Sequence, residues 1–346
     1  MRYVISHWDA FWLSYNLGAA KLAGIRRVGG FDLGDVASTS EELRGFDLSQ
    51  LEELLRPPQG LVSGRASDGQ AGGNGIKEMS AQTSRDVLVS ASVGSRSSGR
   101  FARHRWEGAV PPDSLLDLGG GICAATPELC LVQLAGEVDD AQLIRMAMAL
   151  CAAYRIGASD WEKADPLTSV DKIGRFLEQC PGRHGAKKCR RLLSMAKDGS
   201  RSPKETELHL LLTLPAKMGG YALGGDELNY RVNFDDGDAD ILDRPDRRRA
   251  YVDVAWAKRM VGVEYQGKDH DDKVPEDRRR INLLTAKGWR MFQVDKEQLG
   301  DPARLDVTAR QVAHWLKKPV PERTEVWKAA RGELRETLLG PKNVRL

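Results

Sequence analysis

The chain holds no apolar run that approaches the ~20 residues a membrane-spanning helix needs. Its start, Met1-Arg2-Tyr3-Val4, lacks a charged segment leading into an apolar stretch, so a secretory signal is not expected. Cysteine is scarce: five residues, an odd number at irregular spacing, exclude a disulfide scaffold and suit a reducing, cytoplasmic setting. Cys180, His184 and Cys189 lie close together, but they make three ligands without a paired C-x-x-C. Buried thiols at a helix end are the plainer reading than zinc. Excess charge is missing too, since a net charge of +3 does not by itself imply nucleic acid. No internal repeat is visible.

What is present suits a globular protein of two or three domains: 346 residues, 41% apolar and 29% charged. Local basic runs occur at Lys187-Lys188, Arg190-Arg191, Arg247-Arg248-Arg249 and Arg278-Arg279-Arg280. These are solvated faces unless a site lies beside them. Residues 1–55 read as helical, with Trp8, Phe11, Trp12 and Tyr15 at three- and four-residue spacing on one face. Such a head suits a packing element or a small DNA-binding module, and no helix-turn-helix signature favours the latter. Residues 56–100 are rich in Gly, Ser, Arg and Gln and read as a linker, interrupted by one strand at Val87-Leu88-Val89.

Residues 101–199 read as a mixed, mainly helical middle region. Strands are expected at 101–106 and 115–124, and helices at 126–134, 139–154, 169–179 and 186–197. Thr126-Pro127-Glu128 gives a strong helix start, with Thr as the cap and Pro in the first turn. This region carries no chemistry that can be named.

After Asp198-Gly199-Ser200 the pattern sharpens. Ser202-Pro203-Lys204-Glu205 opens a helix with Leu208, Leu211 and Leu212 inward. Glu205 sits at the capping-box position relative to Ser202. A strand is expected at 228–234, and two more at 250–257 and 260–266. The last two alternate apolar and polar faces and carry one acid each, Asp253 and Glu264. With Lys258-Arg259 as a two-residue loop, Ala257 pairs with Met260, Ala255 with Gly262, Val254 with Val263 and Asp253 with Glu264. The two carboxylates then face each other with Cβ atoms about 5 Å apart, an arrangement that favours an intervening cation. Ala255 and Gly262 flank them and leave space. A polar loop with Lys268 and His270 follows, then a helix at 276–287, a strand at 289–294, a covering helix at 302–317 and a helical tail at 321–346.

This order resembles the PD-(D/E)xK nuclease core. More closely it resembles the small endonuclease-like domains related to the very-short-patch-repair endonuclease. The matching residues are Glu205, Val252-Asp253, Val263-Glu264-Tyr265-Gln266-Gly267, His270, Asp277 with Arg280, and Gly288-Trp289-Arg290-Met291-Phe292. The resemblance covers about a third of the chain. It implies an α+β protein whose residues 200–320 form a restriction-endonuclease-like αβββαβ core, with a mixed sheet flanked by helices. A mostly helical N-terminal region with a few short strands would precede it, loosely similar to the regulator part of abortive-infection systems.

The resemblance further implies a Mg²⁺- or Mn²⁺-dependent endonuclease acting on nucleic acid, DNA before RNA, in defence or repair. Asp253 and Glu264 are the expected metal ligands, and Glu205, Gln266 and His270 complete the catalytic set. Lys268, Arg278 and Arg280 are the expected nucleic-acid contacts. No membrane partner is expected, and a homodimer is one arrangement. Gln266 stands where relatives carry a lysine, so water can be oriented there but no charge supplied. The alternative is a non-catalytic, antitoxin-like regulator that binds nucleic acid on a degenerate nuclease fold.

Overall fold

The computed structural model describes residues 2–31, 33, 36–37, 39–55, 84–90, 100–156, 160–235, 249–267 and 274–340. The chain divides into two compact units between Ala196 and Lys197. Both mix helices and strands, so the protein is α+β. None of the described helices is long and apolar enough to cross a membrane.

The first unit contains β1 (Tyr3–Ile5), α1 (His7–Ala23), β2 (Arg27–Val28), α2 (Ser40–Arg44), β3 (Arg85–Ser90), β4 (Phe101–Trp106), β5 (Leu115–Gly119) and β6 (Ile122–Ala125). Next come α3 (Pro127–Leu134), α4 (Asp140–Leu150), β7 (Tyr154–Ile156), β8 (Trp161–Lys163), α5 (Val170–Glu178) and α6 (Ala186–Leu193). Six strands form one mixed sheet in the order β2-β5-β6-β1-β3-β4. Residues 1–55 and 101–196, read from sequence as separate segments, therefore contribute strands to the same sheet.

The all-helical expectation for residues 1–55 is corrected. β1 lies inside the sheet, parallel to β6 and antiparallel to β3. Tyr-Val-Ile is a run of good strand formers, too short to show a period in a long window. The expected strand at 87–89 is present as part of β3, which is buried from Asp86 to Val89. The remaining linker assignment falls mostly outside the described residues. A single strand over 115–124 was expected; the structure has a hairpin, turned at Gly119, Gly120 and Gly121, which all have positive φ.

The aromatic face of α1 is present, and the helix is enclosed more fully than an amphipathic reading implies. Trp8, Phe11, Trp12 and Tyr15 are buried, as are Ala10 and Leu13 between them. Gly18 kinks the helix at φ 77°. That positive φ is a conformation that L side chains rarely adopt, which favours glycine at the kink. α3 begins where the sequence places it, with the Thr126 hydroxyl accepting from the Leu129 N–H.

The second unit begins with α7 (Pro203–Thr213), β9 (Glu227–Asn233), β10 (Arg249–Trp256) and β11 (Val261–Gln266). It continues with α8 (Val274–Ala286), β12 (Arg290–Asp295), α9 (Lys296–Gly300), α10 (Pro302–Leu316) and α11 (Glu325–Leu339). The sheet order is β12-β11-β10-β9, with β11 and β12 parallel and the other neighbours antiparallel. The helix, three strands, helix, strand order matches the sequence reading. Phe234, Ala250, Val252, Ala255, Leu283, Leu284 and Trp289 form a core cluster. The sequence treats α11 as a tail beyond the domain. In the structure it belongs to this unit, with the Trp327 Nε1–H donating to the Gly220 carbonyl at 3.2 Å.

The β10–β11 register is the expected one: Val254 opposes Val263 and Ala255 opposes Gly262. The loop is longer than two residues. Trp256 and Val261 form the last pair, Ala257–Arg259 is a 3₁₀ turn, and Met260 closes it at φ 52°. Lys-Arg cannot readily supply the two positive φ angles of a tight hairpin, so the extra residues carry the reversal.

The space beside Gly262 is filled rather than left open. An added Cβ would lie 2.6 Å from Val252 Cγ1 and 2.8 Å from Met291 Sδ. Gly262→Ala is therefore expected to cost about 1–3 kcal/mol by overpacking. Urea unfolding checks this, and an unchanged midpoint would contradict the packing described.

Candidate active site

α7 brings the first acid to the sheet. Its cap, Ser202, accepts the Glu205 N–H at the hydroxyl, and Pro203 occupies the first turn. Glu205 does more than complete a cap. Its Oε2 accepts the Arg201 N–H at 2.8 Å and the Asn229 Nδ2–H at 2.9 Å, and its Oε1 accepts the Ser202 hydroxyl at 3.2 Å. Asn229 sits on β9 at φ 48°, a conformation Asn tolerates better than most residues. Its Nδ2 also donates to the Gly199 carbonyl. Glu205 is thereby held in one orientation and nearly buried.

β10 and β11 supply the other two acids. The register would continue from the Val254–Val263 pair to Asp253 and Glu264, but the main-chain ladder ends there. The Tyr265 N–H instead donates to Asp253 Oδ2 at 2.9 Å. Asp253 is half-buried as a residue. Burial first, then the charges of Glu205 and Glu264, push its carboxyl well above the usual carboxylate range. The Tyr265 N–H and Arg280 oppose this without reversing it.

Glu264, read from sequence on the acid-bearing face of its strand, is buried and only 2% exposed. β11 lies between β10 and β12, and α7 and α10 both pack on it, so Val261, Gly262, Val263 and Glu264 are buried in succession. A buried carboxylate needs partners, and Arg280 of α8 supplies them. Its Nη1 and Nη2 donate to Oε1 and Oε2 of Glu264, each at 2.7 Å, and Nη1 also donates to the Tyr251 carbonyl. Arg280 is thus engaged with Glu264 rather than presented for phosphate, as the sequence reading had it.

Glu205, Asp253 and Glu264 interact electrostatically around Asp253. Their oxygens do not all lie within 4.8 Å of one another, as the ring nitrogens of His7 and His104 and a carboxylate oxygen of Glu137 do, the one such group among the described residues. Gln266 ends β11, half-buried, opposite Asp295 of β12. Arg278 is exposed on α8. Lys268 and His270 lie outside the described residues.

Sequence reasoning missed Asn229 and Arg201. Arg201 is exposed and stacks its guanidinium 3.9 Å from the centre of the Tyr251 ring. The tertiary fold brings Asn229 to Glu205, whereas Arg201 lies just ahead of the helix cap, four residues before Glu205. The buried pair of His209 and Asp226, 2.8 Å apart and each about 1% exposed, was also missed.

Two other clusters carry ligand-type side chains. Cys180 and Cys189 are buried thiols, and burial pushes Cys189 up to about 12. Its Sγ–H points to the Leu131 carbonyl, in keeping with the plainer reading. His7 and His104 meet Glu137 in the first unit, but their rings stack face to face, with centroids 3.5 Å apart and planes 19° from parallel. Asp86 and Ser6 hold one nitrogen of His104 and of His7, and the other nitrogens lie 3.7 and 3.8 Å from the same Glu137 oxygen.

Comparison of the chain with protein-family models, curated proteins and solved structures gives no match.

Proposed function

We propose that the second unit is a divalent-cation-dependent endonuclease of the PD-(D/E)xK kind, hydrolysing phosphodiester bonds of nucleic acid, with DNA as the leading substrate. The observation that carries this reading is the meeting of three acids, Glu205, Asp253 and Glu264, around the end of the β10–β11 pair, where Arg280 is the guanidinium that grips Glu264. An arrangement with surplus buried negative charge favours a cation. The donors on hand, the carboxylates of Asp253 and Glu264 and the main-chain carbonyl of Tyr265, are hard oxygens that suit Mg²⁺ or Mn²⁺. When bound, such an ion supplies an acidified water and offsets the charge that builds on the phosphate.

The chain's own residues have separate tasks. Glu205, fixed by Arg201, Ser202 and Asn229, is oriented to accept a hydrogen bond from the attacking water. The Gln266 amide orients that water without adding charge. Arg201, exposed on the Tyr251 ring, would contact a backbone phosphate, as would the exposed Arg278. Lys268 and His270 keep the roles of the sequence reading, a nucleic-acid contact and a member of the catalytic set.

A second reading has an observation of its own. The two-pronged Arg280–Glu264 pair already neutralises Glu264, and Gln266 supplies no positive charge. A regulator that binds nucleic acid without cutting it could dispense with a metal in this way.

The two readings separate in a cleavage assay on plasmid and single-stranded DNA in Mg²⁺, Mn²⁺ or EDTA, run beside Glu264→Ala. The nuclease reading expects cutting in Mg²⁺ or Mn²⁺ alone, reduced at least roughly 10²–10³-fold in the variant, the scale of losing one preorganised electrostatic group. Binding without cutting, unchanged in EDTA, would favour the regulator.

A further inference from the structure

The first unit carries its own group of ligand-type side chains, at the start of α1. One ligand atom from each of His7, His104 and Glu137 lies within 4.8 Å of the other two. The three residues come from α1, from β4 and from the link between α3 and α4, so the fold assembles them.

Each has its far atom fixed. Asp86 of β3, as a carboxylate, can only accept, so His104 gives it the Nε2 proton at 2.7 Å. The Ser6 hydroxyl holds His7 Nδ1 at 3.0 Å. The Trp8 Nε1–H donates to Glu137 Oε2 at 3.1 Å. His7 also stands at φ 49°, a conformation few residues adopt, and its main-chain N–H donates to Gln133 Oε1 at 3.1 Å. Backbone strain of this kind clusters at ligand clamps and active sites.

The other two ring nitrogens converge on one oxygen. His104 Nδ1 lies 3.7 Å and His7 Nε2 lies 3.8 Å from Glu137 Oε1. Both distances exceed hydrogen-bond reach, so a shared proton does not account for them. They approach the ~3.4 Å that separates two ligands of a tetrahedral ion with bonds of about 2.1 Å. With Nε2 protonated, a neutral His104 has its lone pair at Nδ1. A lone pair facing a carboxylate oxygen is repelled unless a cation lies between them.

The surroundings suit a metal ion. A carboxylate on the outer nitrogen of a ligating histidine sets its tautomer and raises its basicity, which is the part Asp86 can play. The side chains of His104 and Glu137 are 21% and 30% exposed, so solvent reaches the group. Two imidazole nitrogens and one oxygen suit Zn²⁺, whereas the oxygen donors around Asp253 suit Mg²⁺ or Mn²⁺. The rings stack in nearly parallel planes, and coordination to one ion would fan them apart toward the tetrahedral angle.

We propose that His7, His104 and Glu137 bind Zn²⁺, with water as the fourth ligand. Three protein ligands and one water is the arrangement in which zinc acidifies its bound water.

The test is calorimetric titration of Zn²⁺ into the full chain carrying Asp253→Asn, so that the acids of the second unit lack a ligand. One saturable Zn²⁺ site is expected. In that background Asp86→Asn should weaken it about 10–100-fold, the scale of losing a partner that orients a ligand. Glu137→Gln and His104→Gln remove ligands and should each weaken it by more than about 100-fold. The Glu137→Gln side chain is partly exposed and can still accept the Trp8 N–H, so this protein should fold. A second measurement needs no variant: in the unsubstituted chain Zn²⁺ should shift the nuclear magnetic resonances of His104 Nδ1 and His7 Nε2. No saturable Zn²⁺ binding, wild-type affinity in the Glu137→Gln and His104→Gln proteins, or ring-nitrogen resonances unmoved by Zn²⁺ would each overturn the proposal.

Discussion

Asp253→Asn is expected to abolish metal-dependent cleavage and, in metal-free buffer, to make the protein more stable. Both effects have one origin. The Asp253 carboxyl is pushed well above its ordinary range by burial, then by Glu205 and Glu264. The amide keeps the shape and can still accept the Tyr265 N–H, but it carries no charge to repel its neighbours. Cleavage should fall at least roughly 10²–10³-fold. The metal-free melting temperature of this unit should rise by about 2–4 °C for each kcal/mol recovered.

The pH dependence has a defined sign. A group whose folded pKa lies above its unfolded value binds its proton more tightly when folded. Its contribution is whole below the ordinary aspartate value of about 3.9 and is lost as pH rises through the raised value. The wild type should therefore lose metal-free stability over that window, while Asp253→Asn does not. Added Mn²⁺ should stabilise the wild type and not the variant. Thermal melts across pH, with and without Mn²⁺, check all three outcomes. A variant less stable than wild type at neutral pH without metal would refute the charge account.

His209→Leu is expected to cost about 3–5 kcal/mol, the scale of leaving one member of a buried ion pair alone. Burial acts to raise the Asp226 carboxyl, but His209 and then Lys197 outweigh it and hold it below its ordinary range. A depressed carboxyl contributes stability above its ordinary value, and that stability is lost as pH falls through the depressed one. With His209 gone, burial is opposed only by Lys197 and a main-chain hydrogen bond, so the variant's deficit should be largest at neutral pH and shrink in acid. The double variant His209→Leu/Asp226→Leu should recover most of the loss, because no uncompensated charge stays buried. Urea unfolding of the two proteins at pH 7 and pH 5 measures this. A single-variant cost under about 1 kcal/mol would mean that the pair is not the buried contact described.

The sequence could be read where local pattern and tertiary structure agree. Alternation in 250–257 and 260–266, with Ala255 and Gly262 as small partners, was enough to obtain the register between β10 and β11. Thr126-Pro127 and Ser202-Pro203 marked two helix starts because capping and proline act within one turn. It could not be read where the cause is remote. β1 is three residues long, and its partners sit near Val87 and at Ile122–Ala125. Nothing local separates it from the helix that follows.

The same holds at the site. Asp253 and Glu264 could be assigned to neighbouring strands, just beyond the Val254–Val263 pair. The capture of Glu264 by Arg280 depends on α8 crossing the sheet, and the hold of Asn229 on Glu205 depends on β9 lying beside α7. Burial of Glu264 was missed for a related reason. A strand covered on both faces and one covered on a single face differ in what packs on them, and four residues with one acid do not reveal which applies.

The most direct test of the account is Mn²⁺ binding, followed by calorimetry with the wild type, Asp253→Asn and Glu264→Ala at neutral pH. The account predicts a saturable Mn²⁺ site in the wild type that both variants lose, with Gly262→Ala retaining it as a packing control. Absence of Mn²⁺ binding by folded wild type, or equal binding by the Asp253→Asn protein, would contradict the claim that these carboxylates form a cation site.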